Sequence, residues 1–213
     1  ASSGDDGPAG SNSSQSGDNS QNNAANSDGR SAKDGLQNTD VALAAAQGRT
    51  FQVTGLGCGE AQFGTAFVAA EGKLVTNAHV VAGIDAPRMI FGDREVVARV
   101  VAFDPVSDLA VLTVDGSLPD PLSLEEATPD TVVALLGYDR SGSMAIRPAR
   151  IFQAILATGK DIYGEPAEGR QALMVDARVD AGFSGGPIVG PTGAVVGVLF
   201  SRARGGSPVA YAV

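Results

Sequence analysis

Residues 182–187, with the sequence GFSGGP, place a single serine among glycines near the end of the chain. Glycines on both sides let the backbone turn tightly, so that the hydroxyl of Ser184 is exposed and the N–H groups of Gly182 and Ser184 can face the same way. Two such donors would form an oxyanion hole for the tetrahedral intermediate of acyl transfer. An ordinary glycine-rich hairpin turn is the alternative interpretation.

A nucleophilic serine needs a base near neutral pH, and His79 is the only histidine in the chain. It lies in LVTNAHVVAG, at the end of an apolar strand and the start of a predicted helical turn. A buried core histidine is the alternative interpretation. Because no other imidazole could activate Ser184, we expect His79 to act as the general base.

The acid that orients this imidazole is expected between His79 and Ser184. Asp108, in DPVSDLAVLTV, directly precedes a continuous apolar strand, so it should be partly buried. A buried carboxylate needs a partner, and an imidazole N–H is a suitable one. Asp104 is the weaker candidate because it precedes Pro105 and is typical of a turn.

The order of these residues separates three kinds of serine hydrolase. GFSGGP also fits G-x-S-x-G, the nucleophile turn of α/β-hydrolases, but their histidine follows the serine, and none follows Ser184. Subtilisin-like enzymes need an aspartate before the histidine, and the last one before His79 is Asp40, at the edge of a polar segment. The order His, Asp, Ser of chymotrypsin remains.

The elements that must position these residues are short apolar strands separated by turns. Six predicted strands precede residue 115, a connector rich in proline and acidic residues follows, and six more strands come after it. The pattern predicts an all-β fold of two six-stranded antiparallel barrels. We expect a first barrel over 40–118, with His79 and Asp108, and a second over 119–213, with Ser184.

Residues 1–39 differ in composition, being rich in Ser, Asn, Gly and Asp, with Leu36 as the only large aliphatic residue. Such a segment cannot offset its ordering entropy by apolar burial, so it is predicted to be a disordered linker. No apolar run is long enough to span a membrane. The net charge of −9 argues against nucleic-acid binding, and one Cys with one His cannot form the usual zinc site, so no cofactor or metal is expected.

The motifs TNAHVV, DPVSDLAVL and GFSGGP, in this order, resemble the trypsin-like serine proteases of the HtrA type. TNAHVVAG, DIYG and GVLF are similar to the membrane-anchored periplasmic acid-resistance proteases of mycobacteria and related actinobacteria. The resemblance implies a chymotrypsin-like fold and a serine endopeptidase that acts on proteins or peptides in a stress response. It also implies an extracytoplasmic monomer, tethered to the membrane through a segment N-terminal to this chain.

The same resemblance implies that Phe200, Ser201 and Arg202 line the substrate-binding site on an edge strand. Two features depart from the family. Phe183 stands where trypsin-type enzymes usually have Asp or Asn, and the C-terminal helix of the second barrel is expected to be missing. A protease-like peptide-binding module with an inactive oxyanion loop is the alternative function, and an esterase on the same scaffold is a third.

Cys58 is the only cysteine, in GLGCGEAQFG. A small buried hydrophobic residue and a free reactive thiol are two interpretations. The third is a disulfide whose partner lies outside this chain, because an odd cysteine in an extracytoplasmic protein suggests one. The resemblance favours the disulfide, since the mycobacterial proteins have a second cysteine in a C-terminal segment.

Overall fold

The computed structural model describes residues 40, 42–57, 59–202 and 208–213. The predicted linker over 1–39 and Cys58 lie outside the described residues. A short helix over 42–47, which we call α1, precedes the first strand. No helix in the described ranges is long and apolar enough to cross a membrane.

The first barrel is closed by six antiparallel strands in the spatial order β1-β2-β3-β6-β5-β4. A four-residue helix, α2 (Ala78–Val81), interrupts the chain between β3 and β4. The six strands are β1 (Thr50–Gly57), β2 (Glu60–Ala70), β3 (Lys73–Thr76), β4 (Arg88–Phe91), β5 (Arg94–Asp104) and β6 (Leu109–Val114).

The second barrel is also closed, in the order β10-β11-β12-β9-β8-β7. A single 3₁₀ turn, η1 (Ala181–Phe183), precedes β10. The strands are β7 (Val132–Tyr138), β8 (Met144–Lys160), β9 (Pro166–Asp176), β10 (Pro187–Val189), β11 (Val195–Arg202) and β12 (Val209–Ala212). The prediction of two six-stranded barrels is confirmed. The domain boundary at 118/119 falls in the connector between β6 and β7 and stays a prediction.

The β8–β9 hairpin is longer than the sequence predicted. β8 continues to Lys160 and β9 begins at Pro166, whereas the apolar pattern ended near residue 156 and resumed at 171. The added residues are mostly exposed, so no alternation of apolar and polar side chains marks them as strand. Backbone pairing from Leu156↔Gln171 to Lys160↔Pro166 forms the extension.

Alternation of side chains accounts for the interior of each barrel. Successive residues of a strand point to opposite faces, so each closed sheet directs one set of apolar side chains inward. The core of the first barrel includes Val53, Val68 and Leu112, and that of the second includes Ile151 and Ile188, all fully buried.

A third apolar cluster lies between the barrels. Phe67 of β2, 1% exposed, packs there with Leu136 of β7 and Val198 of β11. The connector crosses the same region: the N–H of Leu122 donates to Val68 O at 2.9 Å, and the N–H of Val195 donates to Ser123 O at 2.8 Å. The two barrels therefore share an apolar interface reinforced by main-chain hydrogen bonds.

The first prediction tests this interface. Phe67→Ala removes a fully buried ring and should lower the free energy of unfolding by about 3–5 kcal/mol. The matched control is Phe152→Ala, because Phe152 is 38% exposed and its loss should cost much less. Urea unfolding of both variants measures the difference. Equal destabilisation by the two substitutions would contradict the assignment of Phe67 to the barrel interface.

Candidate active site

His79 lies in α2, immediately beyond the end of β3. Asn77, which precedes the helix, is extended (φ −79°, ψ 149°) and fully buried. The chain therefore turns from a buried strand into a short helix whose second residue reaches the surface. The His79 side chain is 38% exposed, so one edge of its ring remains open to solvent.

Asp108 lies in the turn between β5 and β6 and is 3% exposed. Its Oδ2 is 2.8 Å from His79 Nδ1, and its Oδ1 accepts a hydrogen bond from the His79 main-chain N–H at 2.9 Å. A carboxylate only accepts, so the proton of a neutral His79 is placed on Nδ1. The basic Nε2 of His79 is thereby left free to accept a proton.

The backbone of Asp108 is held in an unusual conformation. Its φ of 58° is in the left-handed region, which costs a non-glycine residue about 1–3 kcal/mol unless its surroundings enforce it. The buried Asn77 supplies one such restraint, because its Nδ2 donates to Asp108 O at 2.8 Å. Contacts to the side chain and to the main chain of Asp108 therefore together direct its carboxylate toward His79.

Asp104, the weaker candidate for the orienting acid, is a turn residue. Its Oδ1 accepts hydrogen bonds from the N–H groups of Val106 (2.9 Å) and Ser107 (3.1 Å). The hydrogen bond from the Ser107 side chain is the main reason that the pKa of Asp104 lies below its usual value. Asp104 thus stabilises the turn that carries Asp108 and does not contact His79.

Ser184 follows η1 in the second barrel, and the turn around it packs directly on the first barrel. Thr65 of β2 makes the principal contacts, and it is fully buried. Its N–H donates to Ser184 O at 2.8 Å, its Oγ1 donates to Gly182 O at 2.8 Å, and the same Oγ1 accepts from the Tyr138 N–H at 2.9 Å. One threonine therefore fixes the Ser184 turn against the barrel that carries His79.

Gly185 lets this turn approach the first barrel so closely. Its φ is 83°, and a Cβ at this position would collide with Thr65 O and Thr76 Oγ1. The same Cβ would lie 3.0 Å from the main-chain N of Asn77, two residues before His79. A glycine is required here for both its conformation and its size.

The segment 180–184, which we call the oxyanion loop, contains a 3₁₀ turn. Ala181–Phe183 form a 3₁₀ turn, and the φ of Gly182 lies outside the left-handed region. In such a turn each carbonyl points toward the N–H three residues ahead, so Ala181 C=O is directed toward the N–H of Ser184. The oxyanion hole predicted from the N–H groups of Gly182 and Ser184 stays a prediction.

Two adjoining pockets lie beside these residues. One, of about 230 Å³, is lined by Ser184 and by Asp180 of the oxyanion loop. The other, of about 340 Å³, is lined by His79 and Asp108. The two pockets have Phe200 and Ser201 of β11 in common, and Arg202 completes the wall of the first. Phe200 and Ser201 therefore line the pockets of both Ser184 and His79, whereas Arg202 lines only that of Ser184. Their role in substrate binding stays a prediction.

Among the hydrogen bonds of the described residues, none joins Ser184 Oγ to the His79 ring. Catalytic hydrogen bonds are often long in a free enzyme and tighten when substrate binds.

Cys58, predicted to form a disulfide, lies outside the described residues. Within these residues no group of three or more His, Cys, Asp or Glu side chains is arranged to hold a metal ion.

Sequence reasoning missed the three charged residues that the β8–β9 hairpin contributes to the second pocket: Lys160, Asp161 and Arg170. They come from the end of the extended β8–β9 hairpin, which no apolar pattern marked. The DIYG motif at this hairpin tip was the only signal in the sequence. Thr65 was missed as well, since a threonine in a strand is too common to indicate a contact between barrels.

Comparison with known proteins agrees with this geometry. The family model described as a trypsin-like peptidase domain matches residues 64–198, which include the candidate base, acid and nucleophile. The chain belongs to this family. The predicted resemblance to HtrA-type proteases is also confirmed.

Two known proteins, one of them also by its crystal structure, illustrate the relationship within the trypsin-like peptidase family. Serine protease Rv3671c of Mycobacterium tuberculosis is 40% identical over 149 residues, covering 68% of this chain and 38% of that protein. The crystal structure of the active form of the Rv3671c protease has a TM-score of 0.77 at 36% identity, covering 81% of this chain and 78% of that one. A probable periplasmic serine endoprotease, DegP-like, of Rhizobium meliloti is 35% identical over 161 residues, 69% of this chain and 30% of that protein. The chain thus spans well under half the length of these two curated relatives.

The second prediction concerns the contact between barrels in this peptidase domain. Thr65→Val keeps the shape of the side chain but leaves Gly182 C=O and the Tyr138 N–H without their partner. Each unsatisfied buried group costs about 1–3 kcal/mol, so the free energy of unfolding should fall by about that amount for each. Chemical denaturation measures the loss.

Two variants control this experiment. Thr65→Ser keeps the hydroxyl and should retain most of the stability. Thr113→Val changes a half-buried threonine of β6 for which the described residues record no side-chain hydrogen bond, and it should be nearly neutral. If Thr65→Val were as stable as Thr113→Val, Thr65 would not hold the Ser184 turn.

The third prediction concerns the turn that carries Asp108. Because hydrogen bonding lowers the pKa of Asp104 in the folded state, its ionised form stabilises the protein above the unfolded pKa of about 3.9. This contribution is lost as the pH falls through the lower, folded value. Asp104→Asn keeps an acceptor oxygen but not the charge, so it should be less stable than the parent at pH 6. At pH 2 the two urea midpoints should converge, and a constant difference at both pH values would exclude this role for the charge.

Proposed function

We propose that this chain is a serine endopeptidase that hydrolyses peptide bonds through an acyl-enzyme, with His79, Asp108 and Ser184 as its catalytic triad. The observation that carries the proposal is the double contact of the Asp108 carboxylate with the main-chain N–H and Nδ1 of His79, at 2.9 and 2.8 Å. It orients the only imidazole of the chain. Membership of the trypsin-like peptidase family supports the same assignment.

In this mechanism Ser184 Oγ attacks the carbonyl carbon of the scissile peptide bond while His79 Nε2 removes its proton. The resulting tetrahedral intermediate collapses when His79 gives that proton to the leaving amine. A water molecule then attacks the acyl-enzyme by the same route and releases the acid product. Asp108 holds the Nδ1–H tautomer and stabilises the imidazolium that forms in each step.

The oxyanion hole would be completed by the N–H groups of Gly182 and Ser184. Thr65 Oγ1 holds Gly182 O from one side, and Phe183, fully buried, anchors the loop from the other. The peptide between Ala181 and Gly182 precedes both of these groups, within the turn closed by the Phe183 N–H and Asp180 O at 3.1 Å. Glycine accepts a positive φ without strain. We propose that this peptide rotates when substrate binds. The Ala181 C=O would then turn away from the oxyanion hole, and the N–H of Gly182 would point into it.

The acyl side of the substrate is proposed to lie along β11. Leu199 of β11 accepts a main-chain hydrogen bond from Gly185 and donates one to Gly186. Beyond Leu199, β11 continues to Arg202 and pairs on one side with β12. The described residues record no strand pairing on its other edge there, which leaves that edge available to an extended peptide. The side chain before the scissile bond would enter the pocket of about 230 Å³ beside Ser184 and Arg202.

We further propose an extracytoplasmic location, a membrane tether through a segment N-terminal to this chain, action as a monomer and a role in a stress response. A relative named as a probable periplasmic endoprotease supports the location. The polar composition of residues 1–39, which suits a spacer, supports the tether. The activity, substrates and partners of the longer proteins are proposals for this chain, because it spans 38% of the Rv3671c sequence.

The fourth prediction tests the proposed function. A peptidyl phosphonate should label the parent protein, and mass mapping should place the label on Ser184. Ser184→Ala should remain folded, escape labelling and lose about 10⁴- to 10⁶-fold in turnover of any peptide that the parent cleaves.

The control is Ser123→Ala, which alters an exposed serine of the connector and should leave labelling and turnover unchanged. Labelling elsewhere, or cleavage by Ser184→Ala at the parent's rate, would overturn the triad. A parent that binds peptides without cleaving them would instead favour a binding module with an inactive oxyanion loop. Cleavage of esters but not of peptides would indicate an esterase.

A further inference from the structure

The extended β8–β9 hairpin of the second barrel contacts the turn of the first barrel that carries Asp108. At the hairpin tip the N–H of Ile162 donates to Pro105 O at 3.3 Å. Nearby, the rings of Tyr163 and Phe103 lie with their centroids 6.5 Å apart. Pro105 and Phe103 precede Asp108 by only a few residues. The hairpin of the second barrel therefore supports the turn of the first barrel that carries Asp108.

Arg170 of β9 makes the most direct of these contacts. Its Nη1 donates to Val106 O at 2.8 Å, two residues before Asp108. Its guanidinium carbon lies 4.0 Å from the centroid of the Phe200 ring, a cation–π arrangement. Phe200 lines both pockets of the candidate site. One guanidinium therefore joins the acid-bearing turn to the strand beside Ser184.

This link acts on a backbone that needs restraint. The left-handed φ of Asp108 persists only where neighbouring groups enforce it. Asn77 holds the Asp108 carbonyl from within the first barrel, and Asp104 closes the start of the turn. Arg170 restrains the middle of the turn from the second barrel, which those two residues do not reach.

We propose that Arg170 is a positioning residue for the catalytic pair, holding the Asp108 carboxylate against His79 Nδ1 and coupling that contact to the substrate strand through Phe200. The inference rests on the proposed function for its catalytic meaning. Its geometric content, that Arg170 controls the environment of His79, can be tested without any turnover.

The direction in which the His79 titration midpoint moves distinguishes a positioning role of Arg170 from a purely electrostatic one. Removing a cation near an imidazole makes protonation of the ring easier, whereas displacing an adjacent carboxylate makes it harder. The charged groups that line the His79 pocket are Asp108, Lys160, Asp161 and Arg170, and Asp104 lies in the neighbouring turn, close enough to Arg170 to interact with its charge. Lys160 lines the same pocket, and the described residues record no hydrogen bond from it to the Asp108 turn. Lys160→Ala therefore measures the effect of removing a nearby positive charge while the contacts of the Asp108 turn are kept.

The fifth prediction is an NMR titration of His79, whose signals need no assignment because the chain has one histidine. It uses the full chain with Ser184→Ala, which prevents self-cleavage. Arg170→Ala should weaken proton binding by about tenfold, moving the titration midpoint to lower pH, because Asp108 swings away. Lys160→Ala should move the midpoint to higher pH. Arg170→Lys keeps the cation and a donor, and should stay near the parent.

A matched control is Arg150→Ala, since Arg150 on the same hairpin donates to a main-chain carbonyl, Asp130 O, and neither residue lines the pocket of His79. It should cost similar stability and leave the titration unchanged. With Ser184 restored, Arg170→Ala should lower kcat by about 10- to 100-fold, as expected for a catalytic group misplaced by about 1 Å. Arg170→Lys should recover most of that loss.

An unchanged midpoint in Arg170→Ala, or a shift upward as in Lys160→Ala, overturns the positioning role. A downward shift in Arg150→Ala as well would also overturn it, because general loosening would then be the cause. If the titrations behave as expected but the parent cleaves no peptide, the proposed function fails while the brace on Asp108 stands. If the parent cleaves peptides and Arg170→Ala titrates like it, only the inference fails.

Discussion

The candidate site depends on the docking of the Ser184 turn on the first barrel. His79 and Asp108 belong to one barrel and Ser184 to the other, so no local structure can place all three. Thr65 supplies the registration, because its N–H and Oγ1 hold Ser184 O and Gly182 O at 2.8 Å each. Gly185 permits it, since any side chain there would strike Thr65 and Thr76. The glycine next to the nucleophile thus serves the contact between barrels as much as the exposure of the serine.

The sequence allowed the fold and the candidate triad to be predicted for identifiable physical reasons. A single histidine, together with the order of the three residues along the chain, is enough to exclude the competing classes of serine hydrolase. Asp108 could be preferred over Asp104 because an apolar strand follows it directly and implies burial, and the 3% exposure agrees. Strand prediction succeeded where one face of a strand is buried, since alternation is then strict.

What the sequence could not supply has one common cause, namely contacts between residues far apart in the chain. The end of the β8–β9 hairpin is held by backbone pairing and carries no apolar signal, so Lys160 and Arg170 could not be placed beside His79. Thr65 gives no local indication that it meets residues 117 positions later. The conformation of Ala181–Phe183 was likewise hidden, because GFSGGP is compatible with either orientation of the peptide before Gly182.

These contacts divide the site into fixed and adjustable parts. The Asp108 carboxylate is held by two hydrogen bonds to His79, and its carbonyl by the buried Asn77, so the base and its partner need no rearrangement. The oxyanion loop is fixed at Gly182 O and at the buried Phe183, whereas the proposed rotation involves the peptide before Gly182, within the turn closed by the Phe183 N–H and Asp180 O at 3.1 Å. Proton transfer requires a preorganised donor and acceptor, whereas the oxyanion forms only after substrate arrives. Fixed contacts at Asp108, together with the proposed rotation of the peptide before Gly182, would therefore match the order in which the two are used.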